Sequence, residues 1–582
     1  MRIARPAMLL RLIYVLPLLL AACSDSPDDR SVLSSGEGVL AYVPADTPYF
    51  FAAAKPLPDE VRNELGPHIE AVVQSYRKLL QAAAAPKPDQ QTEGRSGSYL
   101  DKETRQRISA TIEELAGMVT TEGIPEAGIN RDSTAAVYGV GLLPVVRVTL
   151  SDGALFESTM EKLESRAGEK MNVATVDGHA YRYAGDDEGR LIVAVIDDQL
   201  VVSVVPADLP ETLLKSVLGI DLPTTNIAES GVVAALADRY GYQPYGLGAI
   251  DIDRIAAIFL DEPDAVNREL LALTDYDAAS LTDVCKSEIR SIAGIAPRVV
   301  TGYTDITGEH IRSNTVLELR DDLATGVQTL TAAVPGLGAE QGGLFSFGMS
   351  LNMPAAREFY SARLEALEAE PYDCELLADL QAGVPRAREL LDQPVPPIVY
   401  GFRGFLAVID DIKGLDVRKQ QPPTDVDMRF LVATDNAEGL LAMGAMFSPE
   451  IASLDLKADS RPVKLEIPAV SSKVDAAYVA MSENALALSF GNGSETGLQI
   501  MLGAAATEPS PFVSMGMDAG RYYGFIGDAM SLDDSDDESP ELTAATAEVM
   551  KTFEKMFSRI SVDINFTANG IEMPSTMELA DD

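Results

Sequence analysis

Apolar residues open the folded part of the chain at Val39–Val43 and in the strand-like Tyr49–Ala53, and positions at helical spacing follow. Ile69, Val72, Val73, Tyr76, Leu79 and Leu80 form one stripe, which predicts a helix with a single buried face. Residues 86–98 (PKPDQQTEGRSGS) have the composition of a loop, and a second stripe follows in Ile108, Ile112, Leu115 and Met118. From Ala135 the period changes to that of strands, over Ala135–Val140 and Val145–Leu150. Ser151-Asp152-Gly153 then offers a cap for a helix to about Arg166. Two hairpins follow. Asn172–Val176 and His179–Tyr183 flank Asp177-Gly178, a favoured two-residue turn, and Leu191–Ile196 and Leu200–Val205 flank Asp197-Asp198-Gln199. A helix from near Asp208 to Gly219, a strand over Tyr245–Ile250, a helix over Asp253–Leu260 and a long helix near 278–294 precede a closing strand pair, Arg298–Tyr303 and Ile311–Leu319.

The second half repeats this grammar. Ser558–Ile564 and Ser575–Leu579 match the closing pair, and Ala136–Gly139 is matched by Ile398–Gly401. Val146–Glu157 is matched by Met428–Asn436, Leu191–Val205 by Ala477–Phe490, and Tyr245–Asp251 by Phe512–Asp518. The expected fold class is therefore α+β: largely antiparallel sheets covered by helices, built as two copies of one module. The first copy is expected over 39–335 and the second over 336–582, with a joint near Gly336–Gly343, either as two domains or as one long sheet.

The N-terminus changes the picture from architecture to address. Arg2, Arg5 and Arg11 precede an apolar run from Leu12 to Leu20, which is the layout of an export signal and too short for a spanning helix. Leu20-Ala21-Ala22-Cys23 resembles the lipobox of bacterial lipoproteins. The resemblance implies cleavage after residue 22, lipidation (palmitate included) of Cys23, and, with Ser24 following, sorting to the outer membrane. Residues 1–22 would then be the signal peptide, and the polar stretch 23–38 a flexible tether. The start of the mature part, Val43-Pro44-Ala45-Asp46-Thr47-Pro48-Tyr49, resembles a group of proteobacterial envelope lipoproteins and implies no activity.

Charge narrows the partners. The chain of 582 residues carries 46 basic and 89 acidic side chains, a formal charge of −43, and loss of the three leader arginines leaves about −46. Such a polyanion repels nucleic acid and anionic lipid, so the expected membrane contact is the lipid anchor alone. With Cys23 lipidated, Cys285 and Cys374 remain as an even pair in an oxidising compartment. They are either a disulfide between two helices or two separately buried thiols.

Catalytic and metal signatures are weak. His68 follows Pro67 at a helix start, His179 follows a tight turn, and His310 sits in a turn after Gly308-Glu309, none at ligand spacing from another. Gly491-Asn492-Gly493-Ser494 resembles part of a nucleophile elbow, but Glu495-Thr496-Gly497 misses the spacing, and the stretch reads as a helix start. Asp534, Asp536 and Glu538 alternate as in a calcium loop, but Ser539 replaces the turn glycine and no glutamate closes it. Carboxylate pairs such as Asp261/Glu262 and Asp410/Asp411 are expected in so acidic a chain, and the absence of Trp argues against carbohydrate stacking. No cofactor, metal or catalytic residue is nominated. The expectation is a non-enzymatic outer-membrane lipoprotein, facing the periplasm, that binds an envelope protein partner. The 19 methionines keep open a carrier or sensor of an apolar ligand, and a hydrolase is the remaining alternative.

Overall fold

The computed structural model describes residues 30–84, 123–130, 132–168, 170–260, 263, 265–274, 276, 280–414, 424–447, 449–465, 476–491, 493–530 and 540–580. Signal peptide, lipobox, the helix expected after Asp101, Asp261/Glu262 and the acidic run at 533–538 lie outside the described residues. The fold is α+β, with antiparallel strand pairing in both halves. Described structure begins with a short 3-10 turn over Arg30–Leu33, in which Leu33 is fully buried.

Two compact units are built from discontinuous segments. The first takes the described chain up to Ser280, with Val300–Ser313 and Met530–Met556; the second takes Leu281–Val299, Asn314–Ala529 and the chain from Phe557. The glycine-rich stretch around Gly336–Gly343 therefore lies inside the second unit.

The first unit contains β1 (Tyr49–Ala53), helix α1 (Asp59–Ala84), β2 (Ala135–Val140), β3 (Leu143–Thr149) and helix α2 (Gly153–Ala167). It continues with β4 (Asn172–Val176), β5 (His179–Gly185), β6 (Gly189–Ile196), β7 (Gln199–Pro206), helix α3 (Glu211–Leu218) and β8 (Leu247–Asp251). Neighbouring strands run β4–β5–β6–β7–β3–β2–β1–β8. The turn chemistry read from sequence is present: Asp177-Gly178 and Asp197-Asp198 all have positive φ, as tight hairpin turns require. Asp152 caps α2 by accepting from the amides of Ala154 and Leu155. Alternate residues Ile192, Ala194 and Ile196 of β6 are buried on one face; on the other Val193 is buried and Leu191 exposed, so this near-continuous apolar strand is closed on one face and only partly on the other. Helix α1 passes through Pro67 without ending, which places His68 in mid-helix, not at a helix start.

The closing strands of the first half are β9 (Arg298–Ile306) and β10 (His310–Glu318), of which Val300–Ser313 belongs to the first unit; the helix before them, α4 (Asp283–Ala293), belongs to the second. The second unit continues with β11 (Phe345–Ser350), helix α5 (Met353–Ala369), β12 (Phe402–Lys413), β13 (Asp425–Thr434) and helix α6 (Ala437–Phe447). Then come β14 (Val463–Lys464), β15 (Ala477–Met481), β16 (Ala485–Phe490), helix α7 (Glu495–Gly503) and β17 (Val513–Asp518). Helix α8 (Pro540–Met556) belongs to the first unit, and β18 (Phe557–Thr567) and β19 (Gly570–Leu579) close the second. Neighbouring strands run β14–β15–β16–β13–β12–β11–β17–β18–β19. The strand expected at Ile398–Gly401 is instead a helical turn over Pro397–Tyr400, because Pro396 and Pro397 fix helical entry; the strand starts at Phe402.

Each half of the sequence contributes the helix before its closing hairpin to the unit otherwise built mainly by the other half. Helix α4 lies in the second unit, where Cys285 is disulfide-bonded to Cys374, and Glu288 accepts from the amides of Asp373 and Cys374 at 2.9 and 3.0 Å. Cys374 is not helical as expected; it precedes a 3-10 turn at Glu375–Leu377. Helix α8 lies in the first unit beside α1, where Lys78 pairs with Glu548.

Candidate functional site

The sheet of the second unit has two unlike apolar faces. On one, Leu406, Val408, Leu431, Ala433, Ala485 and Ala487 are buried under Leu498, Met501 and Leu502 of α7. This is an ordinary core, formed because alternate strand positions are apolar and a helix covers them.

The other face is built from the intervening positions. Strand register places Val562, Met515, Phe347, Ala407, Phe430 and Leu488 in one row across β18, β17, β11, β12, β13 and β16. The next row is Ile560, Met517, Phe345, Ile409, Met428 and Phe490; the row on the other side is Ile564, Val513, Met349, Phe405, Val432 and Leu486. Opposed residues of antiparallel strands share a face, so these rows form one apolar band. Six strands at about 4.8 Å spacing make it about 24 Å long. Every residue of the three rows is half-buried: none reaches the core and none stands fully exposed. Three phenylalanines line its middle, Phe405 lying 5.7 Å from Phe347 and 6.0 Å from Phe430, centre to centre. At the β16 end Leu454, Leu456 and Leu465 pack over Leu486, Leu488 and Phe490. The band's charged neighbours lie on the opposite face. Arg429 of β13 makes a two-pronged contact with Asp410 at 2.7 and 2.8 Å, and Asp563 of β18 has its carboxyl pushed above the usual range by burial, against a hydrogen bond from Ser514.

The first unit holds a separate pocket of about 450 Å³, lined about equally by polar and apolar surface, between the segment 42–46, the β2–β3 turn, residues 221–225 and the helix Ala265–Leu271. Its Tyr42 stands in front of a buried cation. Arg147 of β3 is fully buried, with its guanidinium 3.8 Å from the Tyr42 ring centre. Nε donates to the Tyr138 hydroxyl at 3.2 Å and Nη2 to the Leu218 carbonyl at 2.9 Å. Burial pushes the Tyr138 phenol up, and Arg147 opposes that shift. Tyr49, on the neighbouring strand, is pushed up to about 12 by burial. Gly219 ends α3 at φ +77°, where a Cβ would come within 2.4 Å of Arg147 Nη2. No sequence pattern singled out Arg147, because one charged residue in an apolar strand normally faces solvent.

The residues weighed from sequence are dispersed. His310 Nε2 lies 2.7 Å from Asp305, with Thr307 Oγ1 3.3 Å from its Nδ1, inside one hairpin turn. His179 starts β5 after the Asp177-Gly178 turn. Asp410 and Asp411 point to different arginines, Arg429 and Arg521. Ser494 sits at the start of α7, with its hydroxyl bonded to Ser489 and the Gly491 carbonyl. Cys285 and Cys374 are joined in a small cluster with Leu377, Ile292 and Tyr372. Among the described residues no three His, Cys, Asp or Glu side chains are grouped to hold a metal, and no helix is long and apolar enough to cross a membrane. No family model matches the chain, and neither a curated protein nor a solved structure does.

Proposed function

We propose that this is a lipid-anchored protein of the outer membrane, held through Cys23, that binds an apolar ligand on the Met- and Phe-rich face of the second unit and performs no chemistry of its own. The half-buried band carries this reading. An apolar surface about 24 Å long whose residues are all half-buried, neither sealed into a core nor open to solvent, suits an extended hydrocarbon. Methionine and phenylalanine give it adaptable contacts without a fixed polar anchor. Burying about sixteen methylenes at about 0.8 kcal/mol each would supply about 13 kcal/mol, which after roughly 5 kcal/mol for association leaves about 8 kcal/mol, in the micromolar range.

The test is displacement of a fluorescent fatty acid from the purified protein, beside mass spectrometry of lipid extracted from protein taken out of membranes. Saturable micromolar binding is expected, weakened at least tenfold in Phe405→Ser/Met515→Ser. Absence of both co-purified lipid and saturable binding would sink the reading. Cys23→Ser should release soluble protein, and unchanged membrane retention would remove the anchor.

A protein partner is the second reading, favoured by Met446 and Phe447 at the end of α6, each 82% exposed. A photoreactive side chain at position 447 should cross-link one envelope protein in intact cells; no discrete adduct would count against it. We further read the two halves as copies of one module. The order β6–β7–β3–β2–β1–β8 has its counterpart, strand for strand, in β15–β16–β13–β12–β11–β17.

A further inference from the structure

The pocket of the first unit is independent of the apolar band and has its own chemistry. Its floor holds Asn267, 3% exposed, beside Gly141 in a left-handed turn, and its wall includes the hydroxyl-bearing Thr224 and Thr225. Two lining residues are acids, Asp46 and Asp221, both exposed at the mouth, and among the described residues no lysine, arginine or histidine lines it. Arg147 does not enter this balance as a ligand. It is fully buried and occupies one face of Tyr42, leaving the rest of that ring to apolar contact. The frame is fixed before any ligand arrives. The Ala45 amide donates to the Thr225 carbonyl at 3.1 Å, the Ile227 amide to Val43 at 2.8 Å, and Arg254 holds the carbonyls of Ala45 and Thr47 at 2.7 and 3.2 Å. A preformed wall lowers the ordering cost of binding.

We propose that this pocket binds a small organic cation: a primary ammonium on a hydroxylated skeleton of monosaccharide size. The carboxylates at the mouth take the ammonium, the threonines take hydroxyl groups, and Tyr42 with Val140 and Val266 takes the carbon face. A bare divalent ion is not the expected guest, because no third acidic or imidazole ligand joins the two aspartates among the described residues. A volume of about 450 Å³ suits one such molecule.

The test is calorimetric titration of the whole protein with glucosamine and, in parallel, with neutral N-acetylglucosamine. One-site binding of glucosamine is expected, at least tenfold tighter than the neutral sugar. Asp46→Asn and Asp221→Asn should each weaken it about fivefold or more, and Thr224→Phe should block the mouth, covering the case where a charge variant disturbs its loop. Asp186→Asn, in the exposed β5–β6 turn, should change nothing. Equal binding of both sugars, no binding of glucosamine, or a loss in Asp186→Asn as large as in the pocket variants (diffuse attraction to a polyanion) would each overturn the proposal.

Discussion

Arg147→Met should destabilise the first unit by about 1–3 kcal/mol. The side chain is fully buried and its partners are neutral: the Tyr138 hydroxyl, the Leu218 carbonyl and the Tyr42 ring. A hydrogen bond from a charged donor contributes about 1.5–3 kcal/mol, and a desolvated cation–ring contact about 2. Against these stands the desolvation of a guanidinium, several kcal/mol, so the terms largely offset. Removing the arginine strands no opposing charge, which keeps the loss below the 3–5 kcal/mol typical of a broken buried ion pair. Methionine preserves most of the stem's packing. Urea unfolding followed by far-ultraviolet circular dichroism is the assay, since the chain has no tryptophan. Gly219→Ala supplies the internal control. At φ +77° alanine costs about 1 kcal/mol, and its methyl would press on Arg147 Nη2 at 2.4 Å and on Tyr42 at 2.7 Å. With Arg147 shortened, the first of those clashes goes, so the double variant should lose at least about 0.5 kcal/mol less than the sum of the singles. The Tyr138 phenol should also titrate higher in Arg147→Met, since the group that opposes its shift is gone. An Arg147→Met protein as stable as the parent, with strictly additive Gly219→Ala, would refute the reasoning.

Three further outcomes are expected. Cys285→Ser/Cys374→Ser frees a loop of 89-residue separation and should cost the second unit about 4–5 kcal/mol in the chain-entropy model, read as a fall in its urea midpoint; an unchanged midpoint would mean the helix α4 contacts suffice alone. Asp563 has a raised carboxyl pKa in the folded state, so its stabilising contribution is complete below the unfolded value and is lost as pH rises through the folded one. Asp563→Asn should therefore gain thermal stability over the parent at pH 7 and lose that advantage near pH 4; a constant difference across the range would contradict the burial argument. Asp152→Ala removes the acceptor for the Ala154 and Leu155 amides and should cost about 1 kcal/mol, with Asp152→Asn nearly neutral.

Local chemistry was legible in the residues themselves. Asp177-Gly178 and Asp197-Asp198 turn where short polar residues tolerate positive φ, Asp152 caps where its carboxylate meets free amides, and the near-continuous apolar run of β6 marks a strand with buried positions on both faces. The order of elements in the second half could be read the same way, except at Ile398–Gly401, where two preceding prolines outweighed apolar, β-branched character. His68 was misplaced for a related reason: a proline usually starts a helix, and here α1 runs through it. The alternating Phe and Met positions of β11, β12, β13 and β17 stand in the sequence too, yet their meaning depended on what covers each side.

The sequence by itself determined the α+β class, the antiparallel hairpins and the acidic character, because each follows from nearest neighbours, periodicity or simple counting. Only the tertiary structure decided that α4 and α8 complete the other half's unit, that Cys285 meets Cys374, that Arg147 is buried behind Tyr42, and that one face of the second sheet is left half-buried. Those outcomes rest on contacts between residues tens to hundreds of positions apart. Local periodicity says which face of an element is apolar, and only packing settles what, if anything, closes over it.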